Sequence, residues 1–275
     1  MTDPLDRIAA ALERLSPPPP PMVDLCAHPA YVWREGVLDV ARGFAPVPLD
    51  LLVGIDRQKA ALLETLGRLA RGHAAHDVLL WGARGTGKSA LVKSAVAAVQ
   101  ADADAGLPAG AGLAIVEVFD VRTLPDLFVR LAGVARPFVV FVDDLGFEAP
   151  GEARTLRSML EGGSEPRPDS VRLVVTANRR HLAPRDIAEQ ESAINPRDAV
   201  DDHLALADRF GLSLGFHALD QDGYLAIVAG YAQRYGLGYD PAEAVNWATR
   251  RGSRSGRVAW QYVVDLAGRA GRALR

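Results

Sequence analysis

Residues 82–89 read Gly82-Ala83-Arg84-Gly85-Thr86-Gly87-Lys88-Ser89, a full G-x-x-x-x-G-K-[ST] pattern. No other stretch of the chain constrains the fold as tightly. The pattern needs a strand that runs into a glycine turn, and a turn that runs into a helix. Both flanks comply. Residues 77–81 form a short apolar run bounded by polar residues, which reads as a buried strand, and residues 90–99 are alanine-rich and helix-forming. The glycines let the backbone wrap a polyphosphate with its N–H groups turned inward. Lys88 can reach the outer phosphates, the Ser89 hydroxyl suits Mg²⁺, and the helix start aims its positive dipole end at the anion. The predicted phosphate cradle is therefore Gly82, Ala83, Arg84, Gly85, Thr86, Gly87, Lys88, Ser89 and Ala90.

The rest of the chain extends this unit. Apolar strands are predicted at residues 77–81, 113–119, 138–142, 171–176 and 212–216. Helices are predicted between them, one of them capped by Asp56 and running to about residue 70. Such alternation implies a five-stranded parallel sheet covered on both faces, with every strand's C-terminal end on one side. After residue 217 the strands stop. Residues 220–235, 240–251 and 255–271 read as three helices of a small separate domain. Residues 1–48 combine an amphipathic segment, with Leu5, Ile8 and Leu12 on one face, a stiff spacer at Pro17–Pro21, and an unassigned stretch containing Tyr31, Trp33 and Phe44. The expected division is thus 1–48, 49–217 and 218–275.

A second signal lies at the end of the third predicted strand, where Asp143 and Asp144 follow an uninterrupted apolar run. A carboxylate delivered there, beside a phosphate loop, can hold Mg²⁺ directly or through water, and Asp143 is placed in that role. Asp144 stands where a water-polarising acid would be expected. It is one methylene shorter than the glutamate usual at such a position, and Glu148 is the alternative base.

Taken in order, these elements resemble the AAA+ ATPases, over residues 49–271. Residues 82–89 match Walker A and residues 139–144 match Walker B. The stretch holding Gly54 and Ile55, with Gln58 beyond, is similar to the segment that packs on adenine in that family. Asn178 ends the fourth predicted strand, where the family carries its sensor-1 residue. Asp208-Arg209-Phe210-Gly211 resembles the arginine-finger box, especially that of Holliday-junction branch-migration motors. Arg257 opens the last predicted helix, as the family's sensor-2 residue does on the lid domain. More narrowly, the pattern resembles a bacterial AAA+ family designated only as a domain of unknown function.

The resemblance implies Mg-ATP as substrate and cofactor, with ATP hydrolysis driving conformational change on a client that the sequence does not identify. Asn178 and Arg257 would sense the γ-phosphate. Arg209 would complete a neighbouring subunit's site, which implies a homo-oligomeric ring or spiral. Local alternatives stand beside these roles. Asn178 can cap a turn, Arg209 can pair with Asp208 or Asp202, Arg257 can be a solvated arginine, and Arg179 and Arg180 are rival fingers. Two other functions fit the same residues: a nucleotide-gated scaffold with little hydrolysis, motivated by Asp144, and a nucleic-acid remodelling factor.

Charge speaks weakly for the last of these. The net charge is −3, which argues against a generic polyanion binder. Residues 216–275 hold eight arginines against five acids, however, a basic lobe compatible with phosphate, nucleic acid or an acidic neighbour. A single cysteine, Cys26, excludes an internal disulfide. No apolar run reaches the roughly 18 residues of a membrane helix, and the N-terminus lacks the order of a secretory signal, so a cytoplasmic protein is expected.

Overall fold

The computed structural model describes residues 23–103, 112–145, 152–160, 167–178 and 208–274, with isolated positions among the first twelve. Pro17–Pro21, Glu148, Arg179 and Arg180 lie outside the described residues.

The described residues build a seven-stranded sheet rather than a five-stranded one. Its strands are β1 (Ala30–Arg34), β2 (Val37–Val40), β3 (Val78–Gly82), β4 (Ala114–Val118), β5 (Phe138–Leu145), β6 (Val171–Asn178) and β7 (Leu212–Phe216). Their order across the sheet is β2-β1-β4-β5-β6-β3-β7. The five expected strands are all present and mutually parallel, and β1 pairs parallel to β4. The fourth of the five expected strands, β6, lies between β5 and β3.

The two added strands extend the sheet to Ala30, upstream of residue 49. They form a hairpin in which Arg34 pairs with Val37. Glu35 (φ 51°) and Gly36 (φ 77°) fill a two-residue turn with both φ values positive, the geometry that matches strand twist. The hairpin is fixed to the core by Arg136. This buried guanidinium donates to the carbonyls of Gly112 (2.6 Å), Leu25 (2.8 Å) and His28 (2.8 Å). Trp33 Nε1 adds a bond to Thr123 Oγ1 at 2.8 Å.

Helices cover both faces. On one face lie α1 (Asp56–Ala70) and α2 (Lys88–Ala103), and their buried Leu62, Leu66, Leu91 and Val92 meet Leu80, Phe141 and Val174. Each such side chain contributes about 1.5–3 kcal/mol of burial. The other face holds α3 (Leu124–Leu131) and α4 (Glu152–Leu160), with Leu127, Phe128 and Leu156 against Trp33, Val140 and Leu173. Asp56 is not the cap of α1. It is the first helical residue and pairs with Lys59 at 2.8 Å, while Ile55 precedes the helix without a side-chain cap.

Beyond β7, helices α5 (Gln221–Arg234), α6 (Pro241–Arg250) and α7 (Gly256–Arg269) enclose their own cluster of Tyr224, Val228, Ala244, Tyr262 and Val263. Asp220, Asp240 and Ser255 cap them, accepting from Gly223, Ala242 and Val258 N–H groups. No helix among the described residues is long and apolar enough to cross a membrane.

Candidate active site at the phosphate loop

The loop at the C-terminal end of β3 is built on positions that only glycine can fill. Gly82 has φ 142°, and a Cβ there would lie 2.0 Å from the Phe216 carbonyl oxygen. Gly85 has φ 75°, and its Cβ would lie 2.7 Å from Ser255 Cβ. Gly87, at φ 94°, packs over Ile55 and Leu52. Thr86 Oγ1 closes the turn by donating to the Ala83 carbonyl at 2.8 Å.

Lys88 is the first residue of α2 and is only 7% exposed. Its ammonium donates to the Gly82 carbonyl at 2.9 Å and the Ala83 carbonyl at 2.8 Å. Burial pushes its pKa down. The carboxylates of Asp144 and Asp143 push it back up, and Arg84 adds to the lowering. Among the described residues this lysine has no anionic partner in contact, and a polyphosphate would supply one.

The two carboxylates reach this loop through an irregularity in β5. The pairing of β5 with β6 shifts register between Val142 and Leu145, and Asp144 adopts φ 53°. Aspartate tolerates that left-handed conformation better than most residues. The break in alternation leaves both Asp143 and Asp144 exposed after five buried positions. Asp143 Oδ1 accepts from Ser89 Oγ and from Thr176 Oγ1, each at 2.6 Å. Thr176 Oγ1 also accepts from the Asp144 N–H at 2.8 Å. The Asn178 amide donates to Asp144 Oδ1, and Arg84 approaches Asp144 Oδ2 at 3.4 Å. Asn178 pairs directly with Gly82 across the β3–β6 ladder, which brings it to the loop. Thr176 is a site residue that the sequence analysis missed. Its only signal was its position two residues before Asn178, directly after the apolar run Leu173-Val174-Val175.

Beside the loop opens a cavity of about 550 Å³, lined by Gly85, Lys88, Ser89 and Arg257. Its apolar wall comes from residues 45–48, Leu51, Tyr231, Tyr235 and Trp260. Trp260 packs on Tyr231 and Tyr235 with ring centroids 5.0 and 5.9 Å apart. Neither Gly54 nor Ile55 lines this cavity; Ile55 supports Gly87 from below. Gln58 holds the edge strand instead, donating to the Gly215 carbonyl at 2.8 Å.

Arg209 is carried to the opposite end of the sheet. It precedes β7, whose Leu212 N–H donates to the Asp77 carbonyl at 3.2 Å, at the start of β3. The length of β3 separates this point from the loop, about 17 Å. Lys88, Ser89, Asp143, Asp144, Asn178 and Arg257 are thus gathered at one end, and Arg209 is not.

A family model described as "Protein of unknown function (DUF815)" matches residues 26–270. The chain belongs to this family. No curated protein matches it. Among solved structures, this DUF815 member is similar to the RuvB Holliday junction branch migration motor of Thermotoga maritima, at 18% identity and TM-score 0.51, over 82% of this chain and 67% of that one. It is also similar to the Aeropyrum pernix ORC1 protein in complex with DNA, at 18% identity and TM-score 0.55, over 83% and 66% of the two chains. The ORC2 protein of Aeropyrum pernix, in ADPNP–ADP complexes, matches at 17% identity and TM-score 0.52, over 84% and 67%. The DUF815 chain therefore spans about two thirds of the length of each. The likeness establishes the AAA+ fold.

Proposed function

We propose that the protein is a cytoplasmic Mg-ATP hydrolase that acts as a homo-oligomer and couples turnover to movement of helices α5–α7, which serve as a lid over the site. The observation that carries the proposal is the convergence of Lys88, Ser89, Asp143, Asp144 and Asn178 around one glycine loop. The oxygens of Ser89 and Asp143, already in contact, fit a hard cation held by one carboxylate and by phosphate oxygens. When bound, Mg²⁺ would neutralise charge on the phosphates. Lys88 would exchange its two loop carbonyls for phosphate oxygens. Asp144 would accept a proton from the attacking water, with Asn178 fixing that water or the γ-phosphate. Arg257 would close on the phosphates from the lid. Arg209, remote from its own loop, would stabilise charge in a neighbour's site.

The decisive experiment is ATP turnover by the wild type against Lys88→Ala and Asp144→Asn, with molar mass measured with and without ATP for the wild type and Arg209→Ala. Turnover unaffected by both substitutions would sink the catalytic assignment, and a strictly monomeric wild type under ATP would remove the trans role of Arg209. One observation favours a second reading, a nucleotide-gated switch with slow hydrolysis. Both oxygens of Asp144 are already engaged, by Asn178 and Arg84. Tight ATP binding without turnover would select it. A nucleic-acid client draws on the DNA-bound ORC1 relative and on the basic C-terminal lobe, and salt-dependent DNA binding tests it.

A further inference from the structure

The phosphate loop and helix α7 are joined through their backbones. The Gly256 N–H, at the first position of α7, donates to the Gly85 carbonyl at 2.9 Å. An N–H at that position has no acceptor inside its own helix. Beside it, the buried Ser255 packs on Gly85 so closely that no Cβ fits between them. We propose that this bond is a latch by which the three-helix unit sets the phosphate-binding geometry of the loop, which makes Gly256 a positioning residue. The inference rests on the ATP-binding reading given above.

The argument is geometric. All peptide bonds of the described residues are trans. The carbonyl of Gly85 and the N–H of Thr86 belong to one such planar unit and point in opposite directions. Holding the carbonyl against α7 turns the Thr86 N–H away from the helix. Glycine leaves ψ of residue 85 open over a wide range, so the tilt of that peptide is not fixed by the loop's own sterics. The latch removes that freedom before an anion arrives. It also makes the coupling reciprocal, because movement of α7 releases the peptide and reorientation of the peptide releases α7.

One substitution isolates the bond. Proline is well suited to the first position of a helix, and Ser255, at φ −141° and ψ 159°, already has the extended backbone that a following proline demands. Gly256→Pro therefore removes the donor, and its ring pushes against the Gly85 oxygen, while the Ser255 cap is kept. ATP affinity, measured by calorimetry on the full chain, should fall roughly five-fold or more, as expected for one lost positioning hydrogen bond. Gly256→Ala, which retains the N–H, should recover most of that affinity. Independently of any variant, the Gly256 amide of the wild type should exchange with solvent more slowly than a first-turn amide lacking an acceptor, and more slowly still with ATP. Equal affinity in the proline variant and the wild type overturns the latch, as does equal loss in the proline and alanine variants or an unprotected amide. A wild type that fails to bind ATP overturns the functional reading instead, and the amide measurement without ATP then still tests the contact.

Discussion

The hydroxyl of Ser89, on α2, donates to Oδ1 of Asp143, on β5, at 2.6 Å. The two residues are far apart in sequence, yet their oxygens meet at one point. If that point is the cation site, Asp143→Ala should abolish the tightening of ATP binding by Mg²⁺ while leaving metal-free binding nearly intact. A Mg²⁺ titration of ATP affinity checks this. Thr176→Val should act more weakly on the same titration. It removes the second donor to Asp143 and strands the Asp144 N–H, which should lower stability by about 1–3 kcal/mol.

The partners of Asp144 differ in weight. Arg84 is 79% exposed and 3.4 Å away, an ion pair of the kind that contributes about 0–1 kcal/mol. Asn178 is buried at the strand end. Arg84→Ala should therefore change turnover by less than about three-fold, whereas Asn178→Ala should reduce it at least ten-fold without a comparable loss of ATP affinity. Steady-state kinetics separates the two, and a large rise with Arg84→Ala would show that this arginine restrains the carboxylate.

Gly82 predicts a structural failure rather than a chemical one. A Cβ placed 2.0 Å from the Phe216 carbonyl cannot be accommodated without moving β7 from β3. Gly82→Ala should lower stability by about 3 kcal/mol or more, read from urea unfolding, and should do so with or without nucleotide.

The three-helix unit carries its own pH dependence. Burial, then the hydrogen bond to Glu243 and its charge, pushes the Tyr262 hydroxyl from the usual 10.0 up to about 12. A group whose folded pKa is raised stabilises the fold fully below its unfolded pKa, and that contribution is lost as pH rises through the folded value. Unfolding followed by tyrosine absorbance should therefore show stability falling between pH 10 and about 12, by an amount on the order of 2 kcal/mol. Tyr262→Phe should flatten that decline.

Much of this was legible in the sequence because it rests on local rules. Strands β3 to β7 and their parallel direction follow from apolar runs, glycine turns and right-handed crossovers. Lys88 and Ser89 follow from the loop pattern, Asp143 from the end of an apolar strand, and Asn178 from the family resemblance. What escaped depends on distant partners. The β1–β2 hairpin turns on Glu35-Gly36, a weaker turn signal than asparagine–glycine, and it is held by Arg136, about a hundred residues away. The bulge at Asp144 and the double role of Thr176 arise from register between β5 and β6, which no single segment encodes. The cavity wall joins residues 45–48 to Tyr231, Tyr235 and Trp260, brought together only when the three helices fold back over the loop.

Strand β7 has only five residues, Leu212–Phe216, and both of its ends are occupied. Arg209 stands just before one end. At the other, the Phe216 carbonyl presses on Gly82, and the chain then turns into α5. The strand thus spans in one short element from the far rim of the sheet to the root of the phosphate loop. In the proposed oligomer, a neighbour that engaged Arg209 would therefore touch the strand that ends against the phosphate loop of Arg209's own chain.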